Sequence, residues 1–182
     1  DALLNYAFET ACSAFDDEET DPVQAGRALQ ILARKAGIYG MIGGQVVDVK
    51  ESGHAVSGET LDFIYRLKTS ALIESSMMIG AVLAGADNDQ VSAMEKIGEK
   101  IGLAFQIQDD ILDVTGNEED LGKPVHSDEK NEKTTYVTWK GLEKAREDVA
   151  RMTEEAVKEL RRFDAPDDFL EQLLVSLVGR KK

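Results

Sequence analysis

Apolar side chains recur three, four and seven residues apart along most of the chain, as at Leu61, Ile64, Tyr65, Leu72 and Ile79, and again at Ile97, Ile101, Ala104, Ile111 and Leu112. That is the period of an amphipathic helix, and nowhere does apolar and polar alternate over the length of a strand. The pattern predicts an all-α chain with helices over about 1–15, 22–36, 38–50, 59–85, 89–115, 134–163 and 167–179. Asp21 before Pro22 supplies a capping side chain and a first-turn proline, while Gly37, Gly116 and Gly141 mark ends or kinks. With no repeat, low-complexity tract or linker, residues 1–182 are expected to form one all-helical domain. The long irregular stretch is "GNEEDLGKPVHSDEKNEK", residues 116–133, and an ordered domain seldom keeps such a loop without a use for it.

Composition narrows the function. The 182 residues are 42% hydrophobic, enough for a sizeable core, and the formal net charge is -14. So acidic a chain repels nucleic acid and anionic lipid heads unless metal ions intervene. One cysteine, Cys12, cannot form an internal disulfide, and no apolar run approaches a membrane span. A cytoplasmic protein with no stable membrane insertion is the expectation. The chain begins at Asp1 and runs straight into a helical pattern, as a piece starting in mid-fold would.

The densest chemistry is "FQIQDDILD", residues 105–113. At about 100° per residue, Gln106, Asp109, Asp110 and Asp113 share one helix face, opposite Ile97, Ile101, Ala104, Ile111 and Leu112. A solvated surface explains such a face, and Glu95 and Glu99 extend it. Against that, Asp109 and Asp113 repel at i,i+4, and Asp113 lies near the negative end of the helix dipole. An outside cation resolves both conflicts, and hard oxygen donors with room for water suit Mg²⁺. Lys68 falls within an apolar stripe, where it either snorkels to water or meets an anion such as a phosphate; Thr69 adds a hydroxyl beside it. Lys123 and Lys133 in the long loop are solvated side chains or further phosphate ligands.

Taken in order, "GGQVVDV" at 43–49, "KTSALI" at 68–73, the aspartate run, "LGKP" at 121–124 and "EKTTYV" at 132–137 resemble the trans-isoprenyl diphosphate synthases, the farnesyl and geranylgeranyl diphosphate synthase family. The resemblance covers essentially the whole chain. It implies an isoprenoid-synthase-type helical bundle and a prenyltransferase that joins an allylic diphosphate to isopentenyl diphosphate with Mg²⁺. By the same resemblance Asp109, Asp110 and Asp113 bind Mg²⁺ directly or through water. Lys68, Thr69, Gln106, Lys123 and Lys133 match positions that hold the allylic diphosphate or lie beside the developing cation. Gln45 and Asp48 match residues facing the same cavity, and Phe105 the aromatic near where the substrates meet. A homodimer is implied as well.

Two departures bear on activity. His126 stands where the family loop usually has glycine, and the family's first aspartate-rich motif, with its arginines, is not in this sequence. The expectation is therefore the C-terminal portion of a synthase, an incomplete bundle inactive by itself and exposing apolar helix faces. A non-catalytic partner subunit, a structural helical protein and a terpene cyclase are the alternatives.

Overall fold

A computed structural model describes residues 2–116, 134–163 and 168–180, and among them there are helices and turns but no strand. The helix α1 (Ala2–Ser13) runs into a 3₁₀ turn at Ala14–Asp16, followed by α2 (Pro22–Ala36) and α3 (Met41–Lys50). Asp21 caps α2 by accepting the Val23 N–H at 2.9 Å, with Pro22 in the first turn. Helix α3 begins three residues later than its apolar pattern predicts, after a tight turn through Gly37 and Gly40.

The predicted helix over 59–85 is three pieces: α4 (Gly58–Tyr65), a π-helical turn (Arg66–Ser70) and α5 (Ala71–Leu83). Within the turn the Ala71 N–H reaches the Arg66 carbonyl, inserting one residue into the helical repeat. The buried stripe shifts accordingly, from Leu61, Ile64 and Tyr65 to Ser70, Ala71, Glu74 and Ser75. An unbroken helix would carry Lys68 and Leu72 inward. The inserted residue instead leaves both at the edge of the core, so Lys68 does not lie within the apolar stripe.

The long helix α6 (Asn88–Thr115) is the axis of the fold, packed against α5 on one side and α8 (Leu142–Leu160) on the other. A capping box between Asp87 and Gln90 starts it. Ile97, Ile101, Ala104 and Ile107 are fully buried along it and meet Leu61 and Ile64 of α4, Ala145 and Ala156 of α8, and Leu174 of α9 (Phe169–Val178). Gly98 and Gly102 let α5 and the π turn approach by backbone contact: a Cβ at Gly102 would sit 2.5 Å from the Ser70 Cα, and one at Gly98 2.7 Å from the Glu74 Cα. The predicted helix over 134–163 is broken at Gly141, φ +85°, into the short α7 (Tyr136–Lys140) and α8. Only glycine adopts that angle without strain.

Glu74, buried at this contact, is matched by Lys35 of α2, which also binds Glu95 at 2.6 Å. Burial would lower the Lys35 pKa, but the two carboxylates outweigh it and the ammonium is held above its ordinary range. Glu99 pairs with Arg66 of the π turn. The two glutamates that continue the acidic face in sequence are thus tied to different neighbours, α2 and the π turn. Helix α1 has no buried residue, and its Leu3 and Tyr6 are exposed.

Candidate active site

Three elements carry the residues singled out in the sequence: the C-terminal half of α6, the π turn and the end of α3. The Thr69 hydroxyl donates to Gln106 Oε1 at 2.8 Å, joining the π turn to α6. Lys68 Nζ lies 2.5 Å from Asp48 Oδ2 on α3, an anion supplied from another helix. Gly44 makes that approach possible, since a Cβ there would stand 2.4 Å from the Lys68 backbone nitrogen. Gln45 beside it is exposed on α3.

The opposite end of the group is closed by a residue that the sequence reading missed. Arg180, just beyond α9, donates to Asp109 Oδ1 at 3.1 Å and stacks its guanidinium 3.6 Å from the centre of the Phe105 ring. Gln108 Nε2 donates to the Arg180 carbonyl at 3.4 Å. Its one signal in the sequence is the basic "GRKK" after the last helix. Gln106 and Asp109, three residues apart, share a face of α6, so the Thr69–Gln106 contact lies beside the Asp109–Arg180–Phe105 contact, and Lys68 with Asp48 adjoins them through the π turn; together these residues form one band. Lys123, Lys133 and His126 lie outside the described residues.

The three aspartates, grouped on one face by periodicity, have different surroundings. The Asp109 side chain is 40% exposed, whereas Asp110 and Asp113 are buried. Asp110 Oδ2 accepts the Tyr65 hydroxyl at 2.5 Å and the Tyr136 N–H at 2.8 Å. The Tyr136 hydroxyl in turn donates to Asp148 on α8 at 2.9 Å. Burial first, and then Asp148, pushes the Tyr136 hydroxyl up to about 12 from its ordinary 10.0. Asp148 itself is held below the usual carboxylate range: burial opposes this, but Tyr136, Arg151 and Lys144 prevail.

A folded-state pKa above the unfolded value means that the Tyr136 contribution is complete below pH about 10 and lost as the pH rises toward the folded value. Tyr136→Phe should therefore flatten the alkaline fall of Tm between about pH 10 and 12, leaving the part due to raised lysines such as Lys35 and Lys144, and lower Tm at neutral pH by a few degrees through the lost hydrogen bond. Melting curves of both proteins across that range check it; an unchanged alkaline slope would contradict it.

Among the described residues no three His, Cys, Asp or Glu side chains converge into a ready-made metal cage. The donors present nonetheless fit Mg²⁺, which takes one or two carboxylates and completes its shell with water and substrate phosphate. Two open grooves, one lined by Lys96, Lys100, Glu155 and Arg162 and the other by Gln30, Arg34, Lys35 and Glu95, include none of the residues of the band.

A family profile described as polyprenyl synthetase matches residues 1–174. The chain is 41% identical over 168 residues to the heterodimeric geranylgeranyl pyrophosphate synthase large subunit 1, chloroplastic, of Arabidopsis thaliana, covering 91% of this chain and 45% of that protein. It is 40% identical over 164 residues to the farnesyl diphosphate synthase of Geobacillus stearothermophilus, covering 90% and 55% respectively. The crystal structure of a Helicobacter pylori geranyltransferase complexed with magnesium and isoprenyl diphosphate superposes with a TM-score of 0.79 at 31% identity, over 98% of this chain and 57% of that one. The chain thus spans about half the length of the curated relatives it matches.

Proposed function

Because the chain belongs to the polyprenyl synthetase family, we propose that it carries part of a prenyltransferase active site that joins an allylic diphosphate to isopentenyl diphosphate. The observation that carries this reading is the band from Asp48 to Asp109, in which cations, a hydroxyl, an amide and an aromatic face adjoin the accessible end of an aspartate helix. Lys68 and Arg180 are each held by a carboxylate. A diphosphate, with more charge and more oxygens, takes over such partners readily. Lys68 and Thr69 hold the allylic diphosphate, and Gln106 fixes the Thr69 hydroxyl. Asp109 offers the accessible carboxylate for Mg²⁺, with Asp113 one turn further along the same face. Gln45 and Asp48 border the same region from α3. Bound Mg²⁺ supplies charge neutralisation for the departing pyrophosphate.

In the reaction the allylic C–O bond breaks and its electron pair leaves with pyrophosphate. The isopentenyl double bond supplies the electrons of the new C–C bond, and loss of a proton restores an alkene. The Phe105 ring, whose face already receives the Arg180 cation, suits a site where positive charge develops. Such a cation is quenched by water, so the reaction needs an apolar surround at this site. A homodimer and a cytoplasmic location belong to the same proposal. Among the described residues no helix is long and apolar enough to cross a membrane.

Thermal melting tests the reading. Mg²⁺ with pyrophosphate should raise Tm by more than the sum of the separate effects; at a ligand concentration one hundred times Kd the joint stabilisation is about 2.7 kcal/mol, or several degrees. A plain helical scaffold would show no joint effect, and that result would overturn the proposal.

A further inference from the structure

Asp110 stands apart from the other acids of α6. It is only 3% exposed, and a single oxygen, Oδ2, receives both the Tyr65 hydroxyl from α4 and the Tyr136 N–H from the first residue of α7. Consecutive helical residues point about 100° apart, so Asp109 faces Arg180 while Asp110 faces α4 and α7. Tyr136 is doubly held, its backbone by Asp110 and its hydroxyl by Asp148 of α8. Just before it, the Thr135 side chain caps α7, and Thr134 Oγ1 accepts the Val56 N–H at 3.1 Å.

We propose that Asp110 is a positioning residue which pins the start of α7 to the aspartate helix, and that it is not a metal ligand. A carboxylate oxygen has two lone-pair directions, and on Oδ2 both are directed at protein donors. A cation arriving at Oδ2 would have to displace the Tyr65 O–H or the Tyr136 N–H at a site that is almost fully buried, where a displaced donor loses its partner at a cost. The chemistry of the run "QDD" is therefore divided: Asp109 for the ligand side, Asp110 for holding α4, α6 and α7 in register. This division rests on the prenyl-transfer reading only for the role of Asp109.

The test compares Asp110→Ala, Tyr65→Phe, Asp110→Asn and Asp109→Asn in the full chain by two measurements. Hydrogen exchange reads the Tyr136 amide in a peptide spanning 134–140, and calorimetry reads the half-saturating Mg²⁺ concentration with pyrophosphate present. Asp110→Ala and Tyr65→Phe should speed exchange of that amide by about tenfold or more, while Asp110→Asn, which keeps a carbonyl acceptor, should stay within about threefold of the parent. The Mg²⁺ midpoint should move by less than about threefold in Asp110→Asn and by at least about tenfold in Asp109→Asn. Should Asp110→Ala fail to fold, Tyr65→Phe carries the exchange measurement. The proposal is overturned if Asp110→Asn shifts the Mg²⁺ midpoint as far as Asp109→Asn does, or if neither Asp110→Ala nor Tyr65→Phe alters exchange at Tyr136. If the parent binds no Mg²⁺ with pyrophosphate, the prenyl-transfer reading fails, and the exchange rates still decide whether Asp110 is the pin.

Discussion

Replacing Gly102 by alanine is expected to destabilise the protein, although the same substitution at an exposed helical glycine stabilises it. In a helix interior alanine is favoured over glycine by about 1 kcal/mol. That gain should appear at Gly80, where an added Cβ meets nothing within 4 Å. At Gly102 the Cβ would lie 2.5 Å from Ser70 Cα and 2.6 Å from its Cβ, and at Gly98 2.7 Å from Glu74 Cα. These are backbone and first side-chain atoms, which cannot swing aside. Helix α6 must therefore move away from α5 and the π turn, at an overpacking cost of about 1–3 kcal/mol and occasionally more. For a chain of this size each kcal/mol is about 2–4 °C in Tm. Gly102→Ala should thus melt several degrees below the parent, Gly102→Val further still, and Gly80→Ala slightly above it. Equal Tm values for Gly102→Ala and Gly80→Ala would show that the close contact is not there. The movement should be felt at the site, because Ser70 directly follows Lys68 and Thr69.

Periodicity and end signals made the helical class legible, together with the α2 cap at Asp21, because these depend on residues close together in sequence; Gly141 marks an end or kink, yet the apolar period runs one helix over 134–163 across it. The π turn was not legible. A period analysis assumes a constant repeat, and "RLKTS" contains no proline or glycine to announce an extra residue. The consequence fell on Lys68, which the pattern placed in the core stripe and the inserted residue turns toward α3. Its partner Asp48 lies 20 positions earlier on another helix, beyond any i,i+3 or i,i+4 inspection. The aspartate run shows the same limit. Angular projection groups Asp109, Asp110 and Asp113 on a face away from Ile101 and Ala104, but a face is solvated only if nothing packs on it. Tyr65, Tyr136 and Arg180 arrive from 45, 26 and 71 positions away, and they decide which carboxylate is buried and which is accessible.

Lys68→Met should produce the largest loss of function with a modest loss of stability. Methionine keeps much of the apolar stem at a position whose side chain is 35% exposed, so packing is largely preserved. What disappears is the ammonium that, on the proposed reading, holds the allylic diphosphate as charge builds on the leaving group. Removing one such preorganised stabilising group typically costs about 10²–10³ in kcat. Prenyl transfer by the catalytically competent protein should fall by that factor, and the affinity for Mg²⁺ with pyrophosphate should fall by about tenfold or more. Asp48→Asn separates this from a structural effect. It also breaks the Lys68–Asp48 pair, whose carboxylate side is only 13% exposed, and so perturbs packing at least as much. Yet it leaves the ammonium in place and removes its competitor, so pyrophosphate affinity should hold or rise while that of Lys68→Met falls. Two variants breaking the same ion pair with opposite effects on anion binding cannot be explained by lost stability. If both weaken binding equally, the pair matters as a brace between α3 and the π turn, and Lys68 is not a phosphate ligand.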